Sequence, residues 1–207
     1  MTSKWVNQLV ELGEVQVSDW RVFSLELING GEETIEAARE YRGAAALRTA
    51  VAVRGAHGGD AAGRFYHSLD RRTWEGTEDV RSAETLRGAL ADAGLDVSLH
   101  DAALDDPATW DAVVAEHRDV VDRFGAFGVP TIALDGGEGP GIFGPVISRV
   151  PPDDQAVELW RHVVWLVRSD NFWELKRDRA VEPDLEGLRV RRAEREARAR
   201  AEAGEDA

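Results

Sequence analysis

The sequence contains no cysteine among its 207 residues. A disulfide, a thiolate metal site and a cysteine nucleophile all need a thiol, so the printed residues exclude all three. The sequence also lacks any apolar run of the ~18 residues that a membrane-spanning helix requires. Its first residues, 1–5, lack the apolar core of a signal peptide. These absences predict a cytoplasmic protein without a membrane span.

A positive net charge is lacking as well, because 25 Lys and Arg stand against 39 Asp and Glu, for a net charge of −14. Such a chain repels nucleic-acid phosphates and anionic lipid headgroups, which argues against both as partners. The five histidines show no His-Glu-x-x-His spacing, so we expect no metal site. The apolar share of 43% is ordinary for a folded globular protein.

The first half of the chain is predicted to be mainly helical. Apolar residues at helical spacing predict a helix over 5–10, with Gly13 as its stop. Residues 15–25 are rich in β-branched and aromatic side chains and predict a strand, followed by a turn at 27–31. From 32 to 94 the pattern is helical and broken by glycines, which predicts several consecutive helices.

The second half predicts a helix, two short strands and a further helix. Asp106 begins the first of these helices as its N-cap, with Pro107 in the first turn. The segments 127–134 and 141–145 are predicted as short strands around a glycine-rich turn. Residues 151–153 begin the last helix, which carries an apolar stripe. This order of elements predicts an α/β fold with an all-helical insertion.

The tryptophans and the C-terminal tail each support a further prediction. Trp5, Trp160 and Trp165 lie on predicted helices, and we expect them to pack in the core. From about residue 182 the chain becomes rich in Arg, Ala and Glu with balanced charges. This tail predicts a solvated, fraying helix or disorder rather than a basic arm.

Several segments, taken in order, carry a resemblance to one family. They are Thr2-Ser3-Lys4-Trp5, Ser24-Leu25, Val129-Pro130-Thr131, Phe143-Gly144-Pro145-Val146 and Asn171-Phe172-Trp173-Glu174-Leu175-Lys176-Arg177. Over about residues 2–180 the chain resembles the DsbA-like branch of the thioredoxin superfamily. Within that branch it is similar to the actinobacterial mycothiol-dependent nitroreductase and disulfide reductase group. The resemblance implies a thioredoxin-like, DsbA-type α/β fold.

The resemblance also implies a division of the chain into four parts. Residues 1–31 would be a partial thioredoxin-like domain, and 32–105 the helical insertion. Residues 106–181 would supply the rest of the thioredoxin-like domain with its cis-proline loop. Residues 182–207 would be the charged tail.

In that family a Cys-Pro-Trp-Cys motif lies at the start of the first helix, directly after the first strand and before a Thr-Ser-Arg-Trp-like stretch. Thr2-Ser3-Lys4-Trp5 matches this stretch, so the first strand and the motif are missing from this chain. We expect a truncated gene model that begins at an internal methionine. The alternative is a genuine short form that rearranges its sheet or folds with a partner strand.

The resemblance implies a thiol–disulfide oxidoreductase with mycothiol or a similar thiol as co-substrate and no bound cofactor. Its partners would be small thiols, disulfides or nitroaromatic compounds. Val129, Pro130 and Thr131 would be the binding half of a site whose reactive half is missing. We therefore expect no thiol–disulfide activity from the 207 residues.

Three further residues are weaker candidates for substrate binding. Asn29 and Tyr41 lie where the insertion begins and could contact a small thiol or a flat aromatic substrate. Their structural alternatives are a turn asparagine and a helix-packing tyrosine. His57, in a glycine-rich loop, is either a proton donor near the site or a surface residue.

Two other functions remain open. A catalytically inactive thioredoxin-fold binding module would fit the lack of cysteine. A hydroxychromene-carboxylate-isomerase or glutathione-S-transferase-kappa-like enzyme would need a serine or cysteine at the helix start. Ser3 is the nearby candidate, although it aligns after the motif.

Overall fold

The computed structural model describes residues 1–30 and 35–205, with side chains as far as 198. The described residues form ten helices and two short strands. The helices are α1 Thr2–Glu11, α2 Leu25–Gly30, α3 Ile35–Ala38, α4 Ala44–His57, α5 Gly59–Asp70, α6 Ala83–Asp92, α7 Ser98–Asp105, α8 Ala108–Phe124, α9 Asp153–Val167 and α10 Glu186–Glu205. The strands are β1 Thr131–Ala133 and β2 Gly141–Phe143. A π-helical turn, Arg71–Glu75, extends α5. Within this part of the chain no helix is both long and apolar enough to cross a bilayer.

Most predicted elements fall where the sequence places them. The helix after Asp106 is α8, and the Asp106 carboxylate accepts a hydrogen bond from the Ala108 N–H at 2.9 Å. The two predicted short strands are β1 and β2, which pair antiparallel with Ile132 opposite Ile142. The chain is thus mixed α/β, mostly helical, with a two-stranded sheet.

One apolar layer joins the first helix to the hairpin and to α9. Trp5 and Leu9 of α1 are fully buried against Ala156 of α9, and Ile132 of β1 packs on the same cluster. The Trp5 indole Nε1–H donates to the Ala156 carbonyl at 3.1 Å. Trp5 therefore ties α1 to α9 by both packing and a hydrogen bond.

The prediction that Trp165 packs in the core is wrong, because its side chain is 71% exposed. It lies two positions after Val163, which packs toward α1. At 100° per residue, two positions place a side chain on the far side of the helix. Trp160 agrees with the prediction of core packing, because it is partly buried against the α1–α9 cluster. Its ring is edge-on to that of Trp5, with 6.0 Å between the ring centroids.

Helix α4 lies at the centre of a helical bundle. On one side it packs with α5 and α6 through a buried cluster that includes Phe65 and Leu86. On the other side it packs with α8 through a second cluster that includes Trp110 and Val113. Helix α7 also contacts α4. The helical block predicted from residue 32 onward is therefore present, although residues 32–34 lie outside the described part.

The strand predicted over 15–25 is wrong. Residues 14–24 form neither strand nor helix. Helix α2 begins at Leu25, so residues 27–30 of the predicted turn are helical. The last residue of that turn, Gly31, lies outside the described residues. A strand needs a neighbouring strand to pair its backbone. Here the Val22 N–H donates instead to a side chain of α8, Glu116 Oε2, at 3.1 Å. The β-branched and aromatic residues of this segment therefore pack across helices.

The C-terminal tail is helical as α10, and its first turns are docked rather than solvated. Gly187 lies so close to the Thr73 and Gly76 carbonyls that an added Cβ would clash with both. The Arg191 guanidinium donates to the Thr73 carbonyl at 3.0 Å and covers the Trp74 ring at 4.3 Å. The interpretation of the tail as wholly solvated is therefore wrong for these turns.

Candidate functional site

A short chain of hydrogen bonds links the loop before β1 to the start of α1. We call residues 128–131 the proline loop. The Pro130 carbonyl accepts the Gly144 N–H at 2.8 Å. The next residue, Pro145, accepts through its carbonyl a hydrogen bond from Thr2 Oγ1, also at 2.8 Å. Because Thr2 is the first residue of α1, the proline loop lies beside the N-terminus of that helix.

The proline loop has a fixed shape and an exposed outer surface. Thr131 Oγ1 donates to the Gly128 carbonyl at 2.9 Å, which closes the loop on itself. The peptide bonds before Pro130 and Pro145 are both cis. Val129 is 53% exposed. The structure therefore brings Val129, Pro130 and Thr131 together on one accessible surface.

The first turn of α1 faces polar side chains of α5 and the π-helical turn. Ser3 Oγ donates to Asp70 Oδ2 at 3.4 Å and lies near the Tyr66 hydroxyl. Lys4 Nζ lies 2.8 Å from Glu75 Oε1. The leading N–H groups of a helix have no intrahelical acceptor and carry partial positive charge. This turn can therefore stabilise an anion such as a thiolate.

Two groups in this polar cluster hold their protons more strongly than usual. Burial raises the pKa of the Tyr66 hydroxyl to about 12, with a smaller contribution from the negative charge of Asp70. Burial also raises the pKa of Asp70, against the opposing effects of the N-terminal ammonium and of its hydrogen bond with Ser3. The Tyr66 residue as a whole is 40% exposed, so burial acts on its hydroxyl end, where α5 meets the start of α1.

A cleft of about 410 Å³ lies between α1, α5 and α6. Lys4 and Asn7 line it from α1, and His67 and Asp70 from α5. Its size is in the range of small-molecule sites. The cleft extends the polar cluster at the start of α1 into a space that a small ligand can enter.

His67 is neutral in this cleft. Burial, together with the nearby charge of Arg71, lowers its pKa to about 4. Its ring packs edge-on against the Trp20 ring, with 4.9 Å between the ring centroids. Its Nε2 atom is buried and has no hydrogen-bond partner among the described residues. A partly buried imidazole of this kind costs stability when it must become charged.

We therefore expect His67 to make the protein acid-sensitive. The folded pKa of about 4 lies below the ordinary 6.5, so between these values the unfolded state binds the proton and the free energy of unfolding falls as pH falls. From pH 7 to pH 4 the His67 contribution to the loss is at most about 3 kcal/mol, because solvent screens the charge of the partly exposed ring. Urea unfolding of wild type and His67→Gln across this range measures it as the difference between their pH profiles.

The matched control for that experiment is His162→Gln, because His162 is 69% exposed on α9. Its profile should follow that of the wild type. An acid-induced loss in His67→Gln as large as in the wild type would contradict the role given to His67.

The structure places the remaining sequence candidates elsewhere. The Asn29 amide donates to the Leu25 carbonyl at 2.7 Å on the exposed end of α2. His57 is the exposed last residue of α4 and lies near Asp96. Tyr41 is 57% exposed and lines a different cavity, formed mainly by residues 37–48. These three side chains therefore do not join the proline loop in one site.

Sequence reasoning missed Tyr66, His67 and Asp70. Tyr66 and Asp70 are four residues apart, which places them on one face of α5. The sequence shows three titratable side chains, those of Tyr66, His67 and Asp70, at or next to a predicted helix. Nothing in the sequence pattern indicates that this face turns toward the start of α1.

The fold and the site together define a mixed α/β protein in which a helix N-terminus meets a proline loop beside a helical bundle. Residues 1–177 match the family described as Rv2466c-like, mycothiol-dependent nitroreductase Rv2466c. The chain is also 32% identical over 183 residues to the uncharacterized protein Rv2286c of Mycobacterium tuberculosis (strain ATCC 25618 / H37Rv). That similarity covers 86% of this chain and 76% of the relative. The chain belongs to the Rv2466c-like family.

Proposed function

We propose that this protein is a mycothiol-associated protein of the oxidoreductase type whose 207 residues supply the thiol-binding part of the site. Mycothiol, or its disulfide, binds between the proline loop and the first turn of α1. The observation that carries the proposal is that the family match spans residues 1–177 and so includes both elements. The hydrogen bonds from Thr2 to Pro145 and from Gly144 to Pro130 hold these elements side by side.

The chemistry of this surface suits a small thiol. The exposed backbone at Val129 offers hydrogen-bonding groups to an extended ligand. The positive end of α1 favours the thiolate over the thiol. The Ser3 hydroxyl lies on the same turn and can donate to a sulfur anion.

The same residues lack the nucleophile of thiol–disulfide exchange. In that reaction a thiolate attacks one sulfur of a disulfide, a new S–S bond forms and the other sulfur leaves as a thiolate. The sequence contains no cysteine, so the 207 residues provide no attacking sulfur. We propose that they bind mycothiol without reducing a disulfide substrate on their own.

This proposal extends to the organisation of the chain. Residues 1–31 and 106–181 are assigned to the thioredoxin-like, DsbA-type part and 32–105 to the helical insertion. The layer of α1, β1, β2 and α9 supports the first assignment, because one apolar cluster holds α1, β1 and α9 together. The packing of α4 with α5 and α6 supports the second.

A second candidate function is a thiol-dependent isomerase of the same superfamily. The observation that favours it is the position of Ser3 on the first turn of α1, hydrogen bonded to Asp70. An isomerase of this kind converts its substrate when the thiol is bound, whereas a binding module does not. Isomerisation of a hydroxychromene carboxylate in the presence of mycothiol, followed by absorbance, distinguishes the two.

The proposal predicts that Val129→Glu weakens mycothiol binding at least about 10-fold, which corresponds to ~1.4 kcal/mol. The added carboxylate repels a thiolate and fills the exposed surface of the proline loop. Isothermal titration with mycothiol measures the change. Val97→Glu is the matched control, because Val97 is a 43% exposed valine before α7.

The control should bind as the wild type does. Equal binding by Val129→Glu and wild type, or the absence of any mycothiol binding to the wild type, would contradict the proposal. Reduction of a disulfide substrate by the cysteine-free chain would contradict the limit placed on its activity.

A further inference from the structure

A second cavity, of about 550 Å³, lies where α3 turns into α4. This volume is in the usual range for small-molecule sites. Buried alanines fix both ends of the turn, since Ala38 is 1% exposed and Ala44 is 3% exposed. Within this turn, the Tyr41 N–H donates to the Ala38 carbonyl at 3.2 Å. The wall of the cavity is therefore anchored to the core of the bundle.

Positive charge dominates the lining of this cavity. Its charged side chains are Arg39, Arg42, Arg48, Arg81 and Glu40. Arg81 is neutralised by Asp79, with its Nη2 2.6 Å from Asp79 Oδ2. Among the described residues, neither Arg39 nor Arg42 forms an ion pair. A local excess of positive charge is unexpected in a chain whose net charge is −14.

Arg48 adds a positive charge that no carboxylate of the described residues compensates by a hydrogen bond. Its side chain is 6% exposed. It donates to neutral oxygens: Thr109 Oγ1 at 2.9 Å, and the carbonyls of Ala103, Leu104 and Asp106 at 2.9, 3.0 and 3.1 Å. Burial first, and then the positive charge of Arg39, lowers the pKa of Arg48. The acids Asp106 and Glu40 oppose this effect without reversing it.

We propose that this cavity binds a small molecule bearing a phosphate or carboxylate group, with Arg39 and Arg42 as its ligands and Arg48 as a fixed positive charge behind them. A guanidinium offers two parallel N–H donors that match the oxygens of either anion. The 57% exposed Tyr41 ring lines the same cavity and can pack on an uncharged part of the ligand. This site is independent of the mycothiol site, because none of its residues belongs to α1 or the proline loop.

The test is isothermal titration of the 207-residue protein with inorganic phosphate, pyrophosphate and citrate, at constant ionic strength. The variant is Arg39→Gln with Arg42→Gln. The control is Arg149→Gln with Arg161→Gln, which removes two positive charges from exposed positions elsewhere. The expected result is saturable binding of at least one anion. That binding should weaken at least about 10-fold in the variant and change by less than about 2-fold in the control.

A preference for pyrophosphate or phosphate would support a phosphate-bearing ligand, and a preference for citrate a carboxylate-bearing one. No saturable binding of any of the three anions would overturn the proposal, as would equal weakening in variant and control. Proton NMR of the wild type gives a measurement that needs no variant. The Tyr41 ring resonances should shift with the bound fraction, and unmoved Tyr41 resonances at saturation would overturn the site.

Discussion

Glu116→Ala is expected to lower the free energy of unfolding by about 1–3 kcal/mol, the cost of leaving hydrogen-bonding groups in the interior without their acceptor. Glu116 is 5% exposed on α8. It is hydrogen bonded to the Arg54 guanidinium of α4, accepts the Val22 N–H at 3.1 Å and lies 3.7 Å from Arg21 Nε. One carboxylate thus ties the non-helical segment 14–24 to two helices. Its loss leaves a partly buried guanidinium and a backbone N–H without that acceptor.

Urea unfolding followed by circular dichroism measures the effect. Glu158→Ala is the matched control, since Glu158 is a 72% exposed glutamate on α9 whose Oε1 lies 3.7 Å from His162 Nε2, also an exposed group. Its effect should stay within about 0.5 kcal/mol. A similar small effect of Glu116→Ala would show that the segment is held by packing alone.

Trp5→Ala is expected to cost about 3–5 kcal/mol of unfolding free energy, the usual range for a large aromatic truncated in a core. The Trp5 side chain is fully buried, contacts Trp160 edge-on at 6.0 Å and donates a hydrogen bond to the Ala156 carbonyl. The truncation would therefore leave a cavity between α1 and α9 and remove the hydrogen bond that joins these helices. We also expect weaker mycothiol binding, because α1 forms one side of the proposed site.

Trp165→Ala provides the control, because the same change is made on α9 at a side chain that is 71% exposed. Its unfolding free energy should remain within about 0.5 kcal/mol of the wild type, with mycothiol binding unchanged. Equal destabilisation by the two variants, measured by thermal unfolding, would contradict the core assigned to Trp5.

The helices and the hairpin were predictable because local signals specify them. Pro107 is the N-cap of α8, one residue later than predicted, and the Asp106 carboxylate before it accepts the N–H of Ala108. Gly13 ends the α1 segment in a left-handed conformation with φ 75°. The segment 15–25 failed because β-branched and aromatic residues also suit packing on helices. Trp20, for example, stacks on Tyr66 of α5, with 5.6 Å between the ring centroids. Whether such a segment becomes a strand depends on a neighbouring strand, which local sequence does not show.

The candidate site was predictable only in part. The Val129-Pro130-Thr131 motif indicated the proline loop, and the structure places it beside α1. The polar wall opposite the start of α1 comes from Tyr66 and Asp70, whose contact with Ser3 spans more than sixty residues of sequence. Such long-range contacts follow from how helices pack, which periodicity in a single sequence does not determine.

The two parts of the proposed mycothiol site depend on one another through the core. Ile132 of β1 packs on the cluster that holds Trp5, so movement of α1 would also displace the strand that carries the proline loop. The Thr2 hydrogen bond to Pro145 adds a second link at the surface. We therefore expect α1 and the hairpin to act as one unit in binding.

The most direct test of the proposed mycothiol site is amide NMR of the 207-residue chain titrated with mycothiol. We expect saturable shifts of the amide signals of Val129, Thr131 and the first turn of α1, Thr2 to Lys4, with smaller changes at Tyr66. Shifts confined to the cavity around Tyr41, or the absence of any saturable shift, would contradict the proposed mycothiol site.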